Sequence, residues 1–188
     1  MSKYNLNINY LLNTAYKALQ LKNFHEAKDL YEKVILINKN IPEVYNNLGL
    51  VNLNINNFEE AIISFNKAIK LKPKFSEAFS NLGMAHYKMG NFKISEKNYK
   101  KSILIDNKNI IPYYNLGNLY RDQNDLSNAE KYYKLALNLK SDMIQIYKNL
   151  FFIYNRSNQL QKLGEILDRA KLNLGNHSII NFFQGVFD

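Results

Sequence analysis

The 188-residue sequence has no cysteine, which excludes a disulfide framework and any thiolate-bound metal. It has no apolar run near the eighteen or so residues that a membrane-spanning helix needs. The N-terminal stretch MSKYNLNINYLL is broken by asparagine too often to be the apolar core of a secretion signal, so the expected location is the cytoplasm. Signatures of catalysis are missing as well. There is no phosphate-binding glycine loop, dinucleotide fingerprint or HExxH pair. The three histidines, His25, His86 and His177, are spaced so that they should not converge on a metal. His86 is expected to be a satisfied core imidazole. Ser64-Phe65-Asn66-Lys67 has the spacing of a serine–lysine pair but lacks its partner motifs. No enzymatic activity, cofactor or metal is therefore expected.

What is present argues for a packed chain. Hydrophobic residues make up 46% and aromatics 13%, too much for a disordered tail. There are 30 asparagines and a net charge of +9. The abundance of Asn, Lys and Ile, all with AT-rich codons, points to coding bias behind part of both. The triplets Asn155-Arg156-Ser157 and Asn176-His177-Ser178 then carry no glycosylation signal.

The chain repeats every 34 residues. Frames starting at Ile8, Pro42, Ser76, Ile110 and Ile144 align without a gap. Position 7 reads Thr14, Leu48, Leu82, Leu116, Leu150, and position 8 reads Ala15, Gly49, Gly83, Gly117, Phe151. Position 20 is Ala27, Ala61, Ser95, Ala129, Leu163, and position 24 is Tyr31, Phe65, Tyr99, Tyr133, Leu167. Apolar residues at 4, 7, 8 and 11, then at 17, 20, 24 and 27, have helical spacing. Gly90-Asn91 and Asn57 mark turns between the two helices of a repeat. Pro42 and Pro112 suit first-turn positions, and Pro73 ends a second helix. Each repeat is thus expected to be two antiparallel helices, packed closely through the small residues at 8, 20 and 27. The expected domains are an extension over 1–7, five repeats (8–41, 42–75, 76–109, 110–143, 144–177), and the start of a sixth repeat or a terminal helix at 178–188. The fifth repeat carries Phe151, Leu163 and Gly164 where smaller or more helix-favouring residues usually sit, so its helices should splay.

This pattern resembles the tetratricopeptide repeat (TPR) family over residues 8–177. The resemblance implies an all-α, right-handed superhelical solenoid whose first helices line a concave groove that binds peptides or proteins. In the family, groove residues come mainly from first-helix positions 2, 5, 6, 9, 12 and 13. Those positions carry only +1 of the net +9. The basic excess lies mainly on the second helices and inter-repeat turns, so nucleic-acid binding in the groove is not expected. The carboxylate clamp that some members use for chaperone C-termini is absent. Position 5 reads Leu12, Asn46, Ser80, Tyr114, Lys148, and position 6 is never basic.

Position 6 is instead Asn13, Asn47, Asn81, Asn115 and Asn149. At the chain's own asparagine frequency, five at one nominated position would occur about once in ten thousand trials. Three readings remain open: inheritance through duplication, a structural bridge between adjacent first helices, or a ladder that grips a ligand. A carboxamide can pair with a peptide C=O and N–H together, so a ladder facing the groove would hold an extended chain whatever its side chains. The TPR arm of the O-linked N-acetylglucosamine transferases resembles this arrangement. Position 9 (Tyr16, Leu50, Met84, Asn118, Phe152) would add contacts, with Tyr114 and Lys148 as side-chain readers. The expected function is a protein-interaction scaffold, or alternatively the substrate-recruiting arm of a larger enzyme such as a glycosyltransferase. The apolar end SIINFFQGVFD is expected to continue into further repeats or to self-associate end to end.

Overall fold

A computed structural model describes residues 3–175 together with His177, Ser178, Ile180 and Gly185. The described residues form ten α-helices and no strand. The chain divides into two compact units, Met1–Asn107 and Lys108–Asp188. The N-terminal unit holds α1 (Lys3–Gln20), α2 (Phe24–Ile37), α3 (Pro42–Asn54), α4 (Phe58–Leu71), α5 (Ser76–Lys88) and α6 (Phe92–Ile105). The C-terminal unit holds α7 (Ile111–Asp122), α8 (Leu126–Leu139), α9 (Ile144–Arg156) and α10 (Leu160–Leu174). None of the described helices is long and apolar enough to cross a membrane.

Each helix pair follows one 34-residue frame, with α1 starting five residues ahead of the first, and each is joined by a turn of one repeated geometry. Its central residue, position 15, is left-handed every time: Lys22, Asn56, Gly90, Asn124 and Asn158 have φ of 60, 63, 76, 60 and 52°. The next residue's N–H reaches back five residues, as from Asn57 to Asn52 O at 2.8 Å and from Asp125 to Tyr120 O at 2.9 Å. This closes the first helix with a Schellman bond and reverses the chain. Asn and Gly accept the left-handed region at least cost, which is why they recur there. Pro42 and Pro112 sit in the first turns of α3 and α7, and Pro73 follows the end of α4.

The small residue at position 8 sets the spacing within a pair. A Cβ on Gly49 would lie 2.4 Å from the Phe65 ring, and one on Gly117 would lie 2.5 Å from Tyr133. The position-24 aromatic thus lies flat against the backbone of its own first helix. Phe65, Tyr99 and Tyr133 are almost wholly buried in consequence. In the fifth repeat Phe151 takes the glycine's place and Leu163 the alanine's, and both are buried. Side chains there fill what backbone contact fills elsewhere, and α9 and α10 approach each other over less of their length than the other pairs.

One boundary differs from expectation. Residues 3–7 continue α1 rather than forming a separate extension. The stretch KYNLN has no proline or glycine to stop a helix.

Candidate functional site

The five position-6 asparagines share a repeat position but not an environment. In the N-terminal unit Asn13 on α1 is exposed and makes no side-chain hydrogen bond among the described residues. Asn47 on α3 is half-buried. It faces the Tyr31 hydroxyl without closing a hydrogen bond in good geometry. Burial pushes the Tyr31 phenol up, and the Asn47 carboxamide partly offsets this. Asn81 on α5 has a phenylalanine, Phe65, at the preceding position 24. Its Nδ2 donates instead to Asn46 Oδ1 at 3.0 Å, tying α5 to α3.

In the C-terminal unit the amides are drawn inward. Asn149 on α9 is only 6% exposed. Its Nδ2 donates to Tyr133 Oη at 3.0 Å and to Asn118 Oδ1 at 3.2 Å. Its Oδ1 accepts from Arg121 Nη1 at 3.2 Å. The Tyr133 hydroxyl donates to Asn118 Oδ1 at 2.7 Å, closing a triangle between α7, α8 and α9. Arg121 also reaches Asp122 Oδ1 through Nε and Nη2, at 2.9 and 2.8 Å. Burial pushes the Tyr133 phenol far up, so this hydroxyl stays a donor across the physiological range. Asn115 on α7 is buried, and its Nδ2 has no partner.

The expectation that these amides stand open on the groove therefore needs correction at Asn149, whose donor and acceptor are both engaged within the protein. The physical reason is the hydroxyl on Tyr133. A tyrosine in a packing position brings a polar atom that must be satisfied, and the next repeat's asparagine satisfies it. The signal lies in position 24, which is Tyr, Phe, Tyr, Tyr over the first four repeats: a packing aromatic that also carries a hydroxyl in three of them.

The other site residues divide by exposure. Tyr16 and Phe152 stand out at 55% and 53% exposed. Leu50 and Met84 are half-buried against the cluster around Leu53, Phe65 and Leu82. Tyr114 is half-buried with its ring 6.1 Å from that of Tyr133. Lys148 is exposed, and Asn118 is tied into the triangle. The position-5 residues Asn46 and Ser80 are buried, and Ser80 Oγ has no partner.

No group of described residues could hold a metal ion. His86 is half-buried, and burial pulls its imidazole down. Its Nδ1 has no hydrogen-bond partner, so it packs as expected but is not satisfied. Glu130 on α8 is held by two lysines, accepting from Lys134 at 2.7 Å and from Lys162 of α10 at 3.0 Å. Most of 178–188, on which the expected continuation or self-association rests, lies outside the described residues.

Tetratricopeptide repeat models match residues 9–41 and 75–142, and a TPR repeat model matches 55–90. No curated protein sequence matches the chain. Among solved structures, pilF of Pseudomonas aeruginosa superposes with a TM-score of 0.82 at 14% identity, over 99% of this chain and 86% of that one. MamA gives 0.73 at 21% identity, over 85% and 93%. YrrB, described as a TPR protein with an unusual peptide-binding site, gives 0.68 at 16% identity over 98% of each chain. Likeness at such identities is a likeness of fold. With the ungapped 34-residue period and the glycine-on-aromatic packing, these matches establish that the chain belongs to the tetratricopeptide repeat family.

Proposed function

We propose that the chain is a non-catalytic interaction scaffold that binds an extended peptide segment along the first helices. The observation that carries this reading is the alternation of apolar and carboxamide groups on α1, α3 and α5. Exposed Tyr16 and half-buried Leu50 and Met84 flank Asn13, Asn47 and Asn81, one pair per repeat. An extended chain crossing that face meets an apolar contact and an amide at each repeat, which suits a backbone held at intervals with little demand on sequence. Asn13 makes no side-chain hydrogen bond among the described residues, Asn47 keeps its oxygen while its N–H faces the Tyr31 hydroxyl, and Asn81 keeps its oxygen and one N–H. The C-terminal unit by itself carries Tyr114, Lys148 and Phe152 on its first helices as candidate contacts for peptide side chains. Asn118 and Asn149 hold together the helices that present them, and the unpartnered Asn115 Nδ2 is buried. YrrB, a protein of this fold, has a peptide-binding site.

The test is selection of peptides from a random library on the whole chain, followed by titration of several selected sequences against Asn47→Ala/Asn81→Ala. Loss of one backbone contact per amide, at about 0.5–1.5 kcal/mol each, predicts about five- to a hundredfold weaker binding for every peptide, with their ranking kept. Failure to select any peptide, or a loss confined to some sequences, would overturn the backbone-gripping reading.

A further inference from the structure

The outer face of α2, α4 and α6 presents an array that peptide binding leaves unused. Positions 20, 24 and 27 of these helices are buried in all three repeats, from Ala27, Tyr31 and Val34 to Ser95, Tyr99 and Ser102. Positions 22, 26 and 29 lie on the opposite side of each helix. Position 26 carries Lys33, Lys67 and Lys101, all exposed. One turn further, position 29 carries Leu36, Lys70 and Leu104; one turn back, position 22 carries Asp29, Ile63 and Lys97. Leu36, Ile63 and Leu104 are 79, 68 and 78% exposed. None of the five lysines has a carboxylate within ion-pairing distance among the described residues, whereas Lys28, Lys72 and Lys100, outside the array, all do. Apart from exposed Asp29, the face therefore combines lysines outside ion-pairing range of any described carboxylate, Lys67 among them with its Nζ 5.9 Å from the Tyr45 ring centroid, with single apolar tips standing in water.

We propose that this face docks the protein on an anionic lipid bilayer. The lysines would meet acidic headgroups, and Leu36, Ile63 and Leu104 would enter the boundary between headgroups and acyl chains. Each part of the pattern suits that occupant. Basic side chains near an anionic surface add up, and apolar tips set among them deepen the attachment without needing a matching pocket. A protein partner would call for a contiguous apolar patch, and here lysines separate the three tips. Single-stranded nucleic acid would call for exposed aromatics to stack bases. Every aromatic side chain of these helices, Phe24, Tyr31, Phe58, Phe65, Phe92 and Tyr99, is buried or half-buried.

The experiment is co-sedimentation of the full chain with phosphatidylcholine vesicles, with and without a third of phosphatidylserine. Binding should appear only with the anionic lipid and weaken as salt rises. Lys33→Glu/Lys67→Glu/Lys101→Glu should lower the partition coefficient at least tenfold, and Leu36→Ser/Ile63→Ser/Leu104→Ser should lower it several-fold while leaving the salt dependence. All six positions are exposed, so circular dichroism melts of both variants should match the parent. A melt that shifts directs the test to Lys67→Ser/Lys101→Ser, which must then show the same loss in proportion. No binding to the anionic vesicles, equal binding to neutral ones, or indifference to the lysine changes would overturn the proposal. So would lysine-dependent binding of single-stranded RNA without vesicle binding, which would reassign the face to nucleic acid.

Discussion

Replacing Asn149 with alanine should cost folding stability, although the same change at Asn13, the equivalent position of the first repeat, should not. Asn149 is 6% exposed and makes three hydrogen bonds, to Tyr133 Oη, Asn118 Oδ1 and Arg121 Nη1. Each contributes about 0.5–1.5 kcal/mol. The better helix propensity of alanine offsets about 0.7 kcal/mol of the loss. Two of the partners also keep other bonds: Tyr133 still donates to Asn118, and Arg121 still reaches Asp122. The expected net loss is therefore about 1–3 kcal/mol. With a urea slope of about 2 kcal/mol per molar, the unfolding midpoint should fall by about 0.5–1.5 M. At exposed Asn13, with no bond to lose, the change should stay within about 0.5 kcal/mol. Tyr133→Phe should move in the same direction as Asn149→Ala, because it removes the hydroxyl that joins α7, α8 and α9. Equal midpoints for the Asn13 and Asn149 variants would refute the reasoning. They would mean that the buried amide contributes no more than a solvated one.

Two further outcomes follow from the packing and the charges. Gly117→Ala places a methyl 2.5 Å from the Tyr133 ring and should lower the thermal midpoint through a loss of about 1–3 kcal/mol. Gly164→Ala, in the interior of α10 with nothing within 4 Å of the added Cβ, should instead raise it by about 0.5–1 kcal/mol. Burial pushes the Glu130 carboxyl up, but the Lys134 and Lys162 hydrogen bonds outweigh it and hold the group below the ordinary 4.5. A folded-state value below the unfolded one gives stability that is full above 4.5 and lost as pH falls through the depressed value. Urea titrations should show the parent's advantage over Glu130→Gln shrinking below that pH, and a constant advantage would contradict the ion pairing.

The helices, their turns and their pairing were decided locally, and so they can be read from residue types. Apolar spacing makes each helix amphipathic, and the glycine at position 8 admits the aromatic at position 24. Asn or Gly at position 15 also takes the left-handed turn at low cost, and these features recur every 34 residues. Even the looser fifth pair could be foreseen, because Phe151 is too large for backbone contact. The five asparagines are a different matter. One residue type at one repeat position is exposed at Asn13, bridges to Asn46 from Asn81, and is engaged on both sides at Asn149. A carboxamide has the same donors and acceptors in every repeat, so its own identity could not choose among these states. The choice came from the neighbouring repeat: a phenylalanine or a tyrosine at position 24, an asparagine or a serine at position 5, an arginine at position 12. Those partners lie between 16 and 35 residues away in the chain, and only the stacking of one helix pair on the next brings them within hydrogen-bonding distance.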